Sequence, residues 1–219
     1  MKRLSQILNP SQYSSVMMAL NILNYLYEAE IQDYRDSKYP DLRKNLLELA
    51  QKLNEGGWTP SDSNKMNSIS EKLGSLQIRF YARMTAYLST IYHLDLNLED
   101  IFRKKYIENE DKNNNQDISD RKEEVKKYSS WRNKVFAHLA SSVPRPNENQ
   151  IFRDTVQDTY GGSRHQLMYE DCLTLSYVPV PDLEPNMPDL TIVRDYQEIK
   201  NHYQNWENTF LRYENARAS

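Results

Sequence analysis

Arg132 and His138, six residues apart, combine a permanent cation with a side chain that titrates near neutral pH. They lie in residues 119–142, where apolar residues recur at helical spacing. At about 100° per residue, Arg132 points from the middle of the apolar face, and His138 lies about 120° away at the edge of that face. A guanidinium among apolar neighbours is costly unless an anion meets it. That anion is either a carboxylate of the protein, in a plain buried salt bridge, or the phosphate of a ligand. For His138 the plainer interpretation is a packed, hydrogen-bonded residue.

The same segment is locally basic. Residues 119–142 contain six Lys or Arg against three Asp or Glu, whereas the whole chain has a net charge of −3. This balance excludes a protein that coats nucleic acid by overall charge, so an anionic ligand must be bound locally. Lys126, Lys127 and Lys134 are the candidate contacts to such a ligand. The alternative is that these lysines form an ordinary solvated helix face.

Metal and cofactor signals are weak throughout the sequence. The four histidines, at positions 93, 138, 165 and 202, form no HxxxH or HExxH pair, and Cys172 has no second thiol beside it. With five glycines, the chain also lacks a glycine-rich phosphate-binding loop. We therefore expect neither a metal nor an organic cofactor.

The elements that position these residues are predicted to be helices. Asn9 followed by Pro10 is a strong helix start, and that helix should run to about Ser37. A second helix should begin near Asp41 and end at the glycine pair 56/57.

Further along, apolar residues at steps of three or four predict a long helix from residue 61 to about residue 91. Asn97 is then expected to cap a separate short helix, and residues 108–118 to form an exposed connection. The motif helix follows, over Ser119 to Ser142. The last helix should start near Asp189 or Thr191, and its apolar residues repeat at heptad-like spacing.

The segment between these last two helices differs in composition. Six of the nine prolines fall between Pro144 and Pro188, together with two β-prone runs at 151–156 and 172–180. We expect an irregular insert there, with a possible small hairpin.

Length and composition complete the prediction of the fold. With 219 residues, 38% of them hydrophobic and 27% charged, the chain is long enough for one core without disulfides. We expect one all-α domain over residues 1–219. The uncharged stretch between Arg3 and Glu28 contains polar residues and a proline, so we read it as neither a membrane span nor a signal peptide. The single cysteine favours the cytoplasm.

Residues 131–139 read WRNKVFAHL. This run resembles the signature of the HEPN superfamily, an arginine followed after four to six residues by histidine, often with Asn or Asp directly after the arginine. The form RNKVFAH is most similar to AbiU2-like HEPN proteins of the abortive-infection or toxin type. The resemblance implies a HEPN-like helical bundle, with the proline-rich insert as an elaboration of this chain.

Carried over residue by residue, the resemblance implies that His138 is the general acid or base and that Arg132 binds and neutralises the scissile phosphate. Asn133 matches the polar residue that supports the pair. The implied activity is metal-independent cleavage of RNA by attack of the 2′-hydroxyl, at a site shared by two subunits of a homodimer. The separation of Arg132 and His138 around one helix agrees with a shared site. A dimer contact is also expected to bury Trp131 and Val135.

The resemblance further implies a toxin or phage-defence role, with a cognate antitoxin or a sensor protein as a possible partner. Position 140 is Ala, where a subtype silenced by a nucleotidyltransferase has Tyr two residues after the histidine. We therefore do not expect that mode of control. A second hypothesis is a non-catalytic helical dimer that binds a nucleotide or a protein partner.

Overall fold

The computed structural model describes residues 3–107, 115–133, 165–169, 173–177 and 188–218. Over these ranges the chain forms a helical bundle with one small hairpin, which confirms the predicted all-helical class. The helices are α1 (Leu4–Ile7), α2 (Pro10–Asp36), α3 (Tyr39–Asn54), α4 (Pro60–Tyr106), α5 (Gln116–Trp131) and α6 (Ile192–Ala218). No helix within these ranges combines the length and the apolar run that a bilayer crossing requires.

α2 begins where the sequence predicts. The Oδ1 atom of Asn9 accepts a hydrogen bond from the Gln12 amide at 2.9 Å, and the Asn9 amide donates to the Gln12 side chain at 3.1 Å. This reciprocal cap satisfies donors that the first turn leaves free. α3 starts two residues before Asp41 and ends at Asn54, and Gly56 follows in the left-handed region with a φ of 77°.

α4 is one uninterrupted helix of 47 residues. The predicted break at Asn97 is wrong, since Asn97 lies inside the helix. The buried residues Ile91, Leu94, Leu98 and Phe102 keep the spacing of three or four across this position. Because no glycine or proline interrupts the region, the apolar face continues and the helix with it. At about 1.5 Å per residue, α4 is about 70 Å long.

The core lies where α2, α5 and α6 pack against α4. Phe102 is at its centre, with ring centroids 5.6 Å from Trp206, 5.5 Å from Phe210 and 4.8 Å from Tyr213. These edge-to-face contacts are a favoured geometry for aromatic pairs. They confirm that the heptad-like stripe of the last helix packs against partner helices.

A buried histidine joins three helices beside this aromatic cluster. The Nδ1 atom of His202 lies 2.8 Å from a carboxylate oxygen of Glu124, and its Nε2 atom lies 3.1 Å from Asp95. The same oxygen of Asp95 accepts a hydrogen bond from the Trp206 indole at 3.1 Å. The ring is 3% exposed, so it ties α4, α5 and α6 together from inside the bundle.

The insert contains a hairpin, as expected, but one of its strands is not where the sequence predicts. β1 (His165–Tyr169) pairs antiparallel with β2 (Leu173–Tyr177), with Leu167 opposite Leu175. β2 falls within the predicted run 172–180, whereas the other run, 151–156, lies outside the described residues. Leu175 also exchanges two backbone hydrogen bonds of 2.8 Å with Leu190, which attaches the hairpin just before α6.

Candidate active site

The end of α5 is positioned by Trp131. The indole is fully buried, and its Nε1 atom donates a 2.7 Å hydrogen bond to the carbonyl of Pro188. The chain then continues through Arg132 and Asn133 in a wider, π-helical turn. Arg132 is half-buried and Asn133 is exposed. α5 itself begins at Gln116, three residues earlier than predicted.

Arg132 follows directly on the buried face of α5 and is half-buried, so it is less enclosed than the apolar residues around it. The buried face of α5 is formed by Ile118, Val125, Tyr128 and Trp131. The large indole gains more from burial than a guanidinium does, which agrees with a fully buried Trp131 beside a half-buried Arg132. The expectation that a second subunit buries Trp131 is wrong, because one chain already covers this residue. The other residue of that expectation, Val135, lies outside the described residues.

The guanidinium of Arg132 is held by two uncharged groups. Its central carbon lies 3.8 Å from the centre of the Tyr92 ring, which α4 supplies, and its Nη1 atom donates a 3.0 Å hydrogen bond to Oδ1 of Asn133. A cation over a ring face is attracted to the negative face of the π-system. Both contacts fix the direction of the fork without neutralising its charge.

The other cations of α5 are all paired with carboxylates. The ion pairs, with N–O distances of 2.8 to 3.0 Å, join Arg121 to Glu124, Lys122 to Glu99, Lys126 to Glu123, and Lys127 to both Asp195 and Glu198. Three of these carboxylates come from α4 and α6, so neighbouring helices offset the positive charge counted along the sequence. Among the described cations of residues 116–133, Arg132 alone has no carboxylate within 4.0 Å. It is the cation left to meet an external anion.

The three predicted phosphate-binding lysines differ in position. Lys126 is largely exposed beside Glu123. Lys127 is mostly covered, and its two partners outweigh the effect of burial and raise the pKa of its ammonium. Lys134 lies outside the described residues, as does His138. The structure thus brings Arg132 and Asn133 together, while the positions of His138 and Lys134 stay predictions.

An imidazole lies next to the tyrosine that Arg132 covers. His93 is exposed on α4, and its ring meets the edge of the Tyr92 ring at a centroid distance of 5.6 Å and an interplanar angle of 68°. Arg132 covers the face of the same tyrosine. No local pattern marks Tyr92 or His93 as site residues, since only the packing of α5 on α4 brings Tyr92 to Arg132.

Another of the four histidines, His202, has a structural role. His202 is sealed between Asp95 and Glu124 and has no access to a substrate. Within the described ranges, no cluster of three His, Cys, Asp or Glu residues could hold a metal ion.

Comparison with known proteins does not assign a family or a function to the chain. No family model, curated protein or solved structure matches the chain.

Proposed function

We propose that this chain is a metal-independent endoribonuclease of a prokaryotic toxin or phage-defence type that acts in the cytoplasm as a homodimer. The observation that carries the proposal is the state of Arg132. Its fork is oriented by Tyr92 and Asn133, is accessible at the end of α5, and has no carboxylate partner among the described residues. The resemblance of residues 131–139 to the HEPN signature supplies the chemistry for such a cation.

In this mechanism Arg132 binds the scissile phosphate, and Asn133 keeps the guanidinium in place. His138 accepts the proton of the 2′-hydroxyl as that oxygen attacks the adjacent phosphorus. The bond from phosphorus to the 5′-oxygen breaks, and this oxygen takes a proton from water while His138 later returns its proton to solvent. The phosphorane carries more negative charge than the substrate, so a fixed guanidinium stabilises the transition state selectively. The products are a 2′,3′-cyclic phosphate and a free 5′-hydroxyl.

The homodimer follows from the placement of the motif residues. Arg132 and His138 are about 120° apart on a regular helix, so a ring from the second subunit is better placed to meet each arginine. An isologous contact beside the end of α5 would form two equal sites. An antitoxin or sensor that covers Arg132 would silence both sites.

The test is cleavage of a mixed RNA pool in EDTA by wild-type protein, Arg132→Ala and His138→Ala. We expect 2′,3′-cyclic ends from the wild type and none from either variant. Arg217→Ala is the matched control, because Arg217 also lies over a tyrosine, Tyr106, at 5.1 Å, and is exposed far from the motif in sequence. It should cleave like the wild type.

Light scattering at micromolar concentration provides the second measurement. A dimer that binds RNA without cutting it would favour the non-catalytic binding module. A monomer that cuts RNA would contradict the shared site.

A further inference from the structure

A groove runs between α3 and the first half of α4. It consists of two cavities, of about 480 and 600 Å³, which meet at Asn45 of α3. Lys65 and Ser68 of α4 line the first cavity, and Lys72 and Ser75 line the second. The groove is therefore polar along its α4 side and open to solvent.

The cations that α4 contributes to this groove are regularly spaced, and Lys38 and Lys52 line its other side. Lys65, Lys72 and Arg79 follow each other at intervals of seven residues, and all three are exposed. Seven residues of helix correspond to about 10.5 Å, and their side chains stay on nearly one face. The serines at 68 and 75 repeat with the same interval, so α4 contributes one lysine and one hydroxyl side by side to each of the two cavities.

Two of these cations are not used by the fold. Lys65 and Lys72 have no carboxylate within 4.0 Å in the part of the chain that the structure describes, whereas Arg79 pairs with Asp33 at 2.8 Å. Residues 37–79 contain seven Lys or Arg against five Asp or Glu, although the whole chain is acidic. Glu48, Asp36 and Asp41 also line the groove, so the lysines are the specific contacts within a weakly positive surface.

The line of cations runs along α4 toward the turn that carries Tyr92 and His93. Because α4 is continuous, the same seven-residue spacing carries the exposed face from Arg79 through Ala86 to His93. His93 touches the Tyr92 ring on which Arg132 lies. The distance from Lys65 to His93 along the helix is about 42 Å.

The ligand that fits this arrangement is a single nucleic acid strand. It repeats a negative charge, and the interval between two of the cations equals about three stacked nucleotides at ~3.4 Å each. A cationic groove that follows the backbone is how proteins hold single strands without reading their sequence. The hydroxyls of Ser68 and Ser75 and the amide of Asn45 can hydrogen-bond phosphates and 2′-hydroxyls.

We propose that the α3–α4 groove holds single-stranded RNA by its phosphates and directs it along α4 to Arg132. This inference rests on the proposed ribonuclease function for the fate of the RNA, whereas binding in the groove can be measured without cleavage.

The experiment measures anisotropy of a fluorescein-labelled 14-nucleotide 2′-O-methyl RNA, which lacks the attacking hydroxyl and stays intact. The test protein is the full chain with Lys65→Glu and Lys72→Glu. The control is Lys104→Glu with Lys200→Glu, which changes the net charge equally at exposed lysines of α4 and α6. Circular dichroism checks that both variants keep the wild-type helix content and melting temperature.

We expect the groove variant to bind about tenfold more weakly or worse, and the slope of log affinity against log salt to fall by about 1.4 for two lost contacts to a single strand. The control should keep the wild-type slope, and a 4-nucleotide RNA should bind far more weakly than the 14-mer. Three results would contradict the proposal that the groove binds single-stranded RNA. They are equal weakening in both variants, equal binding of a duplex of the same length, and no binding by the wild type.

The two proposals can fail separately. If the wild type binds RNA through Lys65 and Lys72 but leaves cleavable RNA intact, the groove stands and the ribonuclease proposal fails. If the wild type cleaves RNA and the groove variant binds and cleaves equally well, the ribonuclease proposal stands and the proposal that the groove binds RNA fails.

Discussion

The guanidinium carbon of Arg132 lies 3.8 Å from the centre of the Tyr92 ring, so α4 provides the surface on which the last cation of α5 is held. This contact joins two residues 40 positions apart in the sequence. It orients the charge of Arg132 and leaves that charge available, which a carboxylate partner would not do.

The first prediction concerns this ring. Tyr92→Leu removes the π-face and should lower kcat/KM for RNA cleavage by about 2- to 30-fold, the range that corresponds to a cation–π contact of about 0.5–2 kcal/mol. Tyr92→Phe keeps the face and should cleave close to the wild-type rate. Tyr25→Leu, at a tyrosine that is 71% exposed on α2, is the matched control. Equal losses in the Phe and Leu variants would show that the hydroxyl, and not the ring, supports Arg132.

The second prediction separates two neighbouring lysines. Lys127 donates to Asp195 at 3.0 Å and to Glu198 at 2.8 Å, and Asp195 is itself buried. Lys127→Met leaves these carboxylates without their cation and should lower the free energy of unfolding by about 1–3 kcal/mol, the cost of an unsatisfied buried polar group. Lys126→Met removes a surface pair and should change stability by less than about 1 kcal/mol.

For RNA binding we expect the opposite ranking of the two variants, with the larger loss in Lys126→Met. Lys126 is exposed, and a solvent-exposed pair such as that with Glu123 contributes little, so Lys126 can exchange Glu123 for a phosphate. Its loss should weaken binding of the uncleavable RNA, while Lys127→Met at permissive temperature should not. Urea denaturation and anisotropy on the same samples provide both measurements. A stable Lys127→Met protein that has lost RNA binding would place Lys127 in the site after all.

How far the sequence predicts the structure depends on whether the signal is local. Asn9 and Pro10 fix the start of α2, and Gly56 marks the end of α3, because caps are set by the residues that form them. The break expected at Asn97 fails for the complementary reason. Asn is a good cap, but the apolar residues on both sides of it are buried in the same core, and their packing keeps the helix continuous.

In the candidate site, too, the sequence predicts local relationships and misses those that depend on packing between helices. The resemblance implies that Asn133 supports the Arg132–His138 pair, and Asn133 is hydrogen-bonded to Arg132. The sequence does not predict Tyr92, which reaches Arg132 only through the packing of α5 on α4. Nor does it predict that Lys127 is neutralised by a carboxylate 68 residues away. A charge count along one helix cannot include acids that other helices bring to it.

The third prediction uses the residue that attaches α3 to α4 at the base of the groove. Asp62 accepts hydrogen bonds from the Lys52 ammonium at 2.6 Å and from the Thr59 amide at 2.9 Å. The bond from Lys52, followed by those from Thr59, lowers the pKa of Asp62 to about 2. The carboxylate therefore stabilises the fold above its ordinary pKa of 3.8, and this contribution is lost as the pH falls toward 2.

Asp62→Asn should accordingly lower the melting temperature at pH 6, and the difference from the wild type should shrink as the pH falls from about 4 to about 2. Thermal melts followed by circular dichroism across this range measure the gap. In a Lys52→Met background the gap should already be smaller at pH 6, because the main cause of the shift is gone. A gap of constant size down to pH 2, or one that Lys52→Met leaves unchanged, would mean that Asp62 acts as a neutral cap and not through its charge. The packing of α3 on α4 would then not depend on the ion pair between Lys52 and Asp62.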